Sequence, residues 1–287
     1  VRWRRGSTGL LTLALILGAS PLLASSTSAT PGLAPCSQRY VPVGQASPSE
    51  ARDPEQALKE GFAATRLWGV DNFSVSGDAG HAEGRVLSVD YPAGTSSPSD
   101  SDHAGVRGGG GFYAAPPGLS GSERACLQYR LRFPGGFDFV KGGKLPGLYG
   151  GDAPSGGRQA DGHNGFSMRF MWREAGQGEL YAYVVEPQGD YGVSLGRGRW
   201  DFPTGEWLTL EQELILNAPG RSDGVARVWV NGELVFAHEE LRYRETETLG
   251  IDGLMFSTFF GGTGPSWRTP RDQRVDFADF RFYRPAS

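Results

Sequence analysis

The sequence predicts an all-β fold, an antiparallel β-sandwich or β-jelly roll, and three observations carry that reading. Short runs in which apolar and polar residues alternate recur at near-regular spacing over most of the chain, the period-2 pattern of half-buried strands. Turn formers are dense, with 44 Gly and 19 Pro among 287 residues. A single stretch, within residues 51–68, reads as one short helix, stopped by Gly61. Composition is uniform and no internal repeat appears, so one jelly-roll domain is expected over residues 61–287.

Taken in order, the chain opens on Arg2, Arg4 and Arg5, followed by an apolar stretch at 10–24 broken by Gly18 and Pro21. Small residues follow, with Ala24 and Ala29 as cleavage points. Residues 1–29 therefore read as a secretory signal peptide, too short and interrupted to span a bilayer. Export to an extracellular or periplasmic space is expected, with no membrane attachment after cleavage. Residues 30–60, rich in Pro, Ser and Ala, read as a leader or N-terminal extension. Residues 94–111 are rich in Ser, Gly and Asp, end in four consecutive Gly, and read as a loop.

Strands are expected at 126–133, at 165–173 and 179–185 around a turn at 174–178, and at 207–216. Asn231-Gly232 joins 227–230 to 233–236, a strong hairpin signal. Strands at 253–260 and 274–283 close the chain. The expected core is Phe170, Trp172, Leu208, Leu210, Leu214, Val228, Val230 and Phe256. In an exported protein the two cysteines, Cys36 and Cys126, are free to form a disulfide.

Composition excludes several functions. A net charge of −4 argues against holding nucleic-acid phosphates. His81, His103, His163 and His238 are scattered without ligand spacing, so neither a metal nor a cofactor is expected. No Gly-x-Ser-x-Gly nucleophile elbow occurs. A monomer is expected. The basic residues are split unevenly: three are Lys, at Lys59, Lys141 and Lys144, and the other 25 are Arg. Two of the three lysines share the stretch 141–144.

Two residue sets have the makings of a site. Glu211 and Glu213 are two apart on one strand and so share a face. Paired carboxylates suit a glycosidase; a solvated outer face is the plainer reading. The second set is the hairpin at 165–185. Ser167, Arg169 and Arg173 share one face of its first strand, and Tyr181 and Tyr183 share one face of its second. With the turn centred near Gly176, Arg169 lies opposite Tyr183 and Met171 opposite Tyr181, on the same side of the sheet. Such a patch suits β-elimination of a uronic-acid polymer. Arg pairs bidentately with a carboxylate and so acidifies the C5 proton. Tyr or Lys serves as base or acid once its surroundings shift its pKa.

The motifs Gly-Gly-Lys-Leu-Pro-Gly-Leu-Tyr-Gly-Gly at 142–151, Phe-Ser-Met-Arg-Phe-Met-Trp-Arg at 166–173, Glu-Leu-Tyr-Ala-Tyr at 179–183 and Phe-Ser-Thr-Phe-Phe-Gly-Gly at 256–262 resemble polysaccharide lyase family 14. The likeness covers about residues 107–284, including 191–198 and 267–282, and leaves residues 1–100 outside it. It implies a β-jelly roll with its cleft on the concave sheet and an acidic polysaccharide as substrate, poly-mannuronate, glucuronan or a related acid. It also implies that Lys144, Ser167, Arg169, Tyr181 and Tyr183 are the catalytic set, with Lys144 near the reacting sugar and Arg169 on its carboxylate. Base and acid stay open among Lys144, Tyr181 and Tyr183. Arg173, Arg197 and Arg199 are candidates for further carboxylates. A non-catalytic carbohydrate-binding jelly roll and a hydrolase using Glu211 and Glu213 are the competing readings.

Overall fold

The computed structural model describes residues 32–77, 85–100, 105–185 and 189–286. The expected signal peptide, His81 and His103 lie outside them. Among the described residues, the complete elements include two short helices, α1 (Cys36–Arg39) and α2 (Pro54–Phe62), and fifteen strands. In chain order the strands are β1 (Val41–Ala46), β2 (Thr65–Trp68), β3 (Phe73–Gly77), β4 (Arg85–Tyr91), β5 (Gly110–Ala114), β6 (Arg124–Arg132), β7 (Gly142–Gly151) and β8 (Gly165–Arg173). They continue as β9 (Gly178–Tyr183), β10 (Val193–Leu195), β11 (Trp207–Ile215), β12 (Gly224–Val230), β13 (Glu233–Leu241), β14 (Gly253–Phe260) and β15 (Gln273–Arg284).

These strands form two antiparallel sheets, a jelly-roll sandwich. One runs β13-β12-β11-β6-β15-β4-β3, with β1 added against β15; the other runs β10-β9-β8-β7-β14-β5-β2. Their facing sides make one core. Leu127, Tyr129 and Leu131 of β6 and Leu208, Leu210 and Leu214 of β11 meet Met168, Phe170 and Trp172 of β8 and Phe256 of β14. Rings dominate the contact: Phe112 stacks on Phe256 at 4.6 Å and Tyr129 on Phe280 at 5.1 Å. Burying aromatic side chains of this size is the main favourable term, and Trp172→Ala should cost about 3–5 kcal/mol. The expected core residues are buried, except Val230, which is half-buried at the margin.

The stretch read as a leader is built into the fold. β1 pairs with β15, and a Cys36–Cys126 disulfide ties α1 to β6. In α2, Asp53 caps the helix by accepting from Gln56 N at 3.0 Å. The helix runs through Gly61 and ends at Ala63, whose φ is 50°. Gly61 is there for space: a Cβ would lie 1.9 Å from the Ser47 carbonyl oxygen.

Strand β7 was not expected, since five of its ten residues are Gly and one is Pro. Packing accounts for them. A Cβ at Gly143 would meet the Trp172 indole at 2.0 Å, and one at Gly147 would meet the Met168 carbonyl oxygen at 2.0 Å. Pro146 falls where the β7–β8 register shifts, between Lys144 and Gly147, a bulge that asks nothing of its missing N–H. The bulge is pinned through the core from the opposite sheet. Tyr129 Oη donates to the Pro146 carbonyl at 3.1 Å. Gln212, wholly buried between Glu211 and Glu213, accepts from Leu148 N at 2.8 Å and donates to the Met168 carbonyl at 2.7 Å.

Candidate active site

The bulge decides where Lys144 points. Lys144 pairs with Met171 and Gly147 with Arg169, so two β7 residues an odd number apart face the same side. Leu145 and Leu148 face the core. Lys144 thereby joins the face that carries Arg169, Met171 and Arg173 on β8 and Glu179, Tyr181 and Tyr183 on β9. The β8–β9 hairpin has the expected faces in a shifted register: Arg169 lies opposite Tyr181 and Ser167 opposite Tyr183. The turn centres on Ala175, not Gly176, and both residues take positive φ, 58° and 83°. A shift of two residues preserves every side chain's face.

Lys144 is not a solvated loop residue. It is 7% exposed, with Nζ 2.9 Å from Met171 Sδ and 4.0 Å from the Tyr181 ring centroid. Among the described residues no carboxylate pairs with it. Burial pushes its pKa well below the ordinary 10.5, and Arg169 and Arg173 push it further; Glu179 opposes them. Arg169 is 3% exposed, its Nη1 is 3.4 Å from Ser257 Oγ, and its Nε has no partner. A buried guanidinium with a free donor and no counter-charge is a ready carboxylate receptor.

The two tyrosines stand edge to face with ring centroids 5.7 Å apart. Burial and the neighbouring Tyr183 raise the Tyr181 pKa, so its phenol keeps its proton. Tyr183 is 1% exposed and its oxygen accepts from Gly157 N at 3.2 Å. Ser167, opposite it, is fully buried and donates to the Pro154 carbonyl at 2.7 Å. Ser167 and Tyr183 thus both fasten the loop at 154–157, whose Ser155 and Gly156 form one rim of the cleft. Ser167 itself does not line it.

The cleft has a volume of about 880 Å³. Lys144, Arg169, Arg173 and Arg107 line it, together with Tyr113, Tyr181, Tyr183 and Tyr191 and the indoles of Trp68 and Trp267. No described Asp or Glu is among its lining residues. In a chain of net charge −4, its site is locally cationic, which favours a polyanion. Arg197 and Arg199 are exposed and lie outside this lining.

Glu211 and Glu213 are neither in the cleft nor solvated. They face outward from β11 in the other sheet and are buried under α1. Glu211 accepts from Ser37 N, Ser37 Oγ and Gln128 Nε2 at 3.0, 2.8 and 2.9 Å. Glu213 accepts from Arg39 at 2.7 Å and Arg227 at 2.9 Å. Two carboxylates held this way cannot flank a sugar, so the hydrolase reading falls. Arg107, Glu179 and Met171 were missed as site residues. Met171 and Glu179 do carry a signal, being in phase with Arg169 and Tyr181 on their strands. Arg107 comes from a loop and carries none.

The family model described as polysaccharide lyase 14 matches residues 79–280. The chain is 32% identical to the marine PL-14 alginate lyase from Aplysia kurodai, over 85% of this chain and 100% of that one, with a TM-score of 0.74. It is also similar in fold to an alginate lyase from Chlorella virus, at 23% identity, 85% and 100% coverage and a TM-score of 0.70. A mutant alginate lyase solved in complex with an alginate tetrasaccharide shares the fold at 21% identity, 86% and 96% coverage and a TM-score of 0.66. No curated protein sequence matches the chain. With a family model spanning most of the chain and a cationic, tyrosine-lined cleft on the β7–β8–β9 sheet, the chain belongs to polysaccharide lyase family 14 and is a polysaccharide lyase.

Proposed function

We propose that the protein is exported and cleaves a uronic-acid polymer, poly-mannuronate or glucuronan, by metal-independent β-elimination. Arg169 binds the carboxylate of the reacting uronate and stabilises the negative charge that grows there as C5 loses its proton. Lys144, whose pKa is lowered by burial and by two neighbouring guanidiniums, takes that proton. The C5–H electron pair becomes the C4–C5 double bond, and the C4–O4 bond breaks. Tyr181 or Tyr183, opposite Arg169 and Ser167 on β8, returns a proton to O4. Arg169 supplies the charge that a metal would supply elsewhere, so the scheme needs none. Export is supported by the Cys36–Cys126 disulfide, since such bonds persist in oxidising compartments. Alginate as substrate is supported by the Aplysia kurodai relative.

The observation that carries this reading is the buried, unpaired Arg169 beside an amine disposed to be neutral. Incubation with poly-mannuronate, poly-guluronate and glucuronan, followed by ultraviolet absorbance and product mass, tests it. Elimination yields unsaturated uronate ends, undiminished by a chelator. Products that have gained water, or no product from any of the three polymers, would contradict it.

A further inference from the structure

One buried carboxylate behind the cleft has no part in this scheme. Glu179 is wholly buried, yet it is in phase with Tyr181 and Tyr183 on β9 and so lies on the cleft side of the sheet. It stands opposite Met171. Its Oε1 accepts from Arg173 Nη2 at 2.6 Å, and its Oε2 accepts from Ser194 Oγ of the edge strand β10. The Arg173 side chain is 12% exposed and lies 5.9 Å from the Tyr181 ring centroid, and its Nε has no partner. One end of the guanidinium is tied down by Glu179, and the Arg173 side chain lines the cleft.

An apolar side chain at position 179 would serve folding at least as well, because buried ion pairs seldom add net stability. What the pair does add is order. A free arginine samples many rotamers, and fixing it on substrate binding weakens affinity. We infer that Glu179, braced by Ser194, is a positioning residue: it holds Arg173 rigid as a second cation of the cleft, so that a further carboxylate of the same polymer meets a preset guanidinium. This inference rests on the polyuronate reading.

Steady-state kinetics on poly-mannuronate, with thermal melting alongside, test it. Arg173→Ala and Glu179→Ala should each raise KM by about tenfold or more, with the smaller change in kcat. The double variant should be no worse than Arg173→Ala alone, because residues acting as one unit are not additive. Glu179→Gln and Ser194→Ala should shift KM the same way by less. Wild-type KM in folded Glu179→Ala and Glu179→Gln, or losses that multiply in the double variant, would overturn the inference alone. If both Glu179 variants unfold, Ser194→Ala decides, and a wild-type KM there overturns it. A wild-type protein inactive on every polyuronate would overturn the functional reading first, and this one with it.

Discussion

Buried charge occurs on both sheets, and the two clusters are finished differently. On the outer sheet, Glu213 is met by Arg39 and Arg227, and Glu211 by Ser37 and Gln128. Every strong acceptor there has a protein donor. On the cleft-bearing sheet, Lys144 and Arg169 are buried to a similar degree, yet no described carboxylate pairs with either, and Arg169 Nε has no partner at all. Burying an unpaired charge opposes folding. The outer cluster therefore reads as structure, and the inner one as a site completed only by an anionic ligand.

The sharpest way to break this comparison is to delete the inner charges. Arg169→Ala and Lys144→Ala should each lower turnover by about 10²–10⁴-fold, as losses of charge stabilisation and of a general base do. Their melting temperatures should hold or rise. An active Lys144→Ala would remove the amine from the mechanism.

The outer cluster should respond in the opposite way. Removing the disulfide with Cys36→Ser and Cys126→Ser loosens the segment that covers Glu211 and Glu213. A link between residues 90 apart should be worth about 4–5 kcal/mol on the chain-entropy account, measured by denaturant unfolding. Turnover at low temperature should persist. Glu213→Gln, which breaks two ion pairs at a buried carboxylate, should lose roughly 2–3 kcal/mol and stay active.

The smallest effects are in pH dependence: stability rises with pH through both clusters, but in different windows, the acid range for Glu213 and the range below 10.5 for Lys144. At Glu213 burial acts to raise the pKa, but hydrogen bonds from Tyr40, Arg227 and Arg39 outweigh it, and the carboxyl lies below its ordinary 4.5. Its stabilisation is present above 4.5 and is lost as pH falls through the native value. Glu213→Gln should flatten that acid slope. Lys144 has a native pKa well below 10.5, so the unfolded state binds the extra proton and stability rises with pH across that window. Lys144→Met should therefore gain most over the parent below the native Lys144 value, and match it near 10.5.

Much of this contrast was legible in the chain, and the gaps have physical causes. The faces of the 165–183 hairpin follow from simple alternation, and they survived a wrong register because the error was an even number of residues. Residues 142–151 hid a central strand, since Gly143 and Gly147 are chosen for contact with Trp172 and the β8 backbone, which local propensity cannot show. Lys144 was marked by its rarity and by resemblance, but its burial depends on the bulge at Pro146. Glu211 and Glu213 shared a face as expected. The Cys36–Cys126 bond was legible, but that it lays α1 over this face was not, because that depends on the β11–β6 register, which sets Glu213 beside Cys126.

The most direct test of the central claim is to measure turnover on poly-mannuronate and melting temperature together in Arg169→Met and Glu213→Gln. Arg169→Met should melt no lower than wild type and form almost no unsaturated uronate, while Glu213→Gln should melt lower and cleave at close to the wild-type rate. An active Arg169→Met, or a Glu213→Gln that keeps its stability and loses its activity, would contradict it.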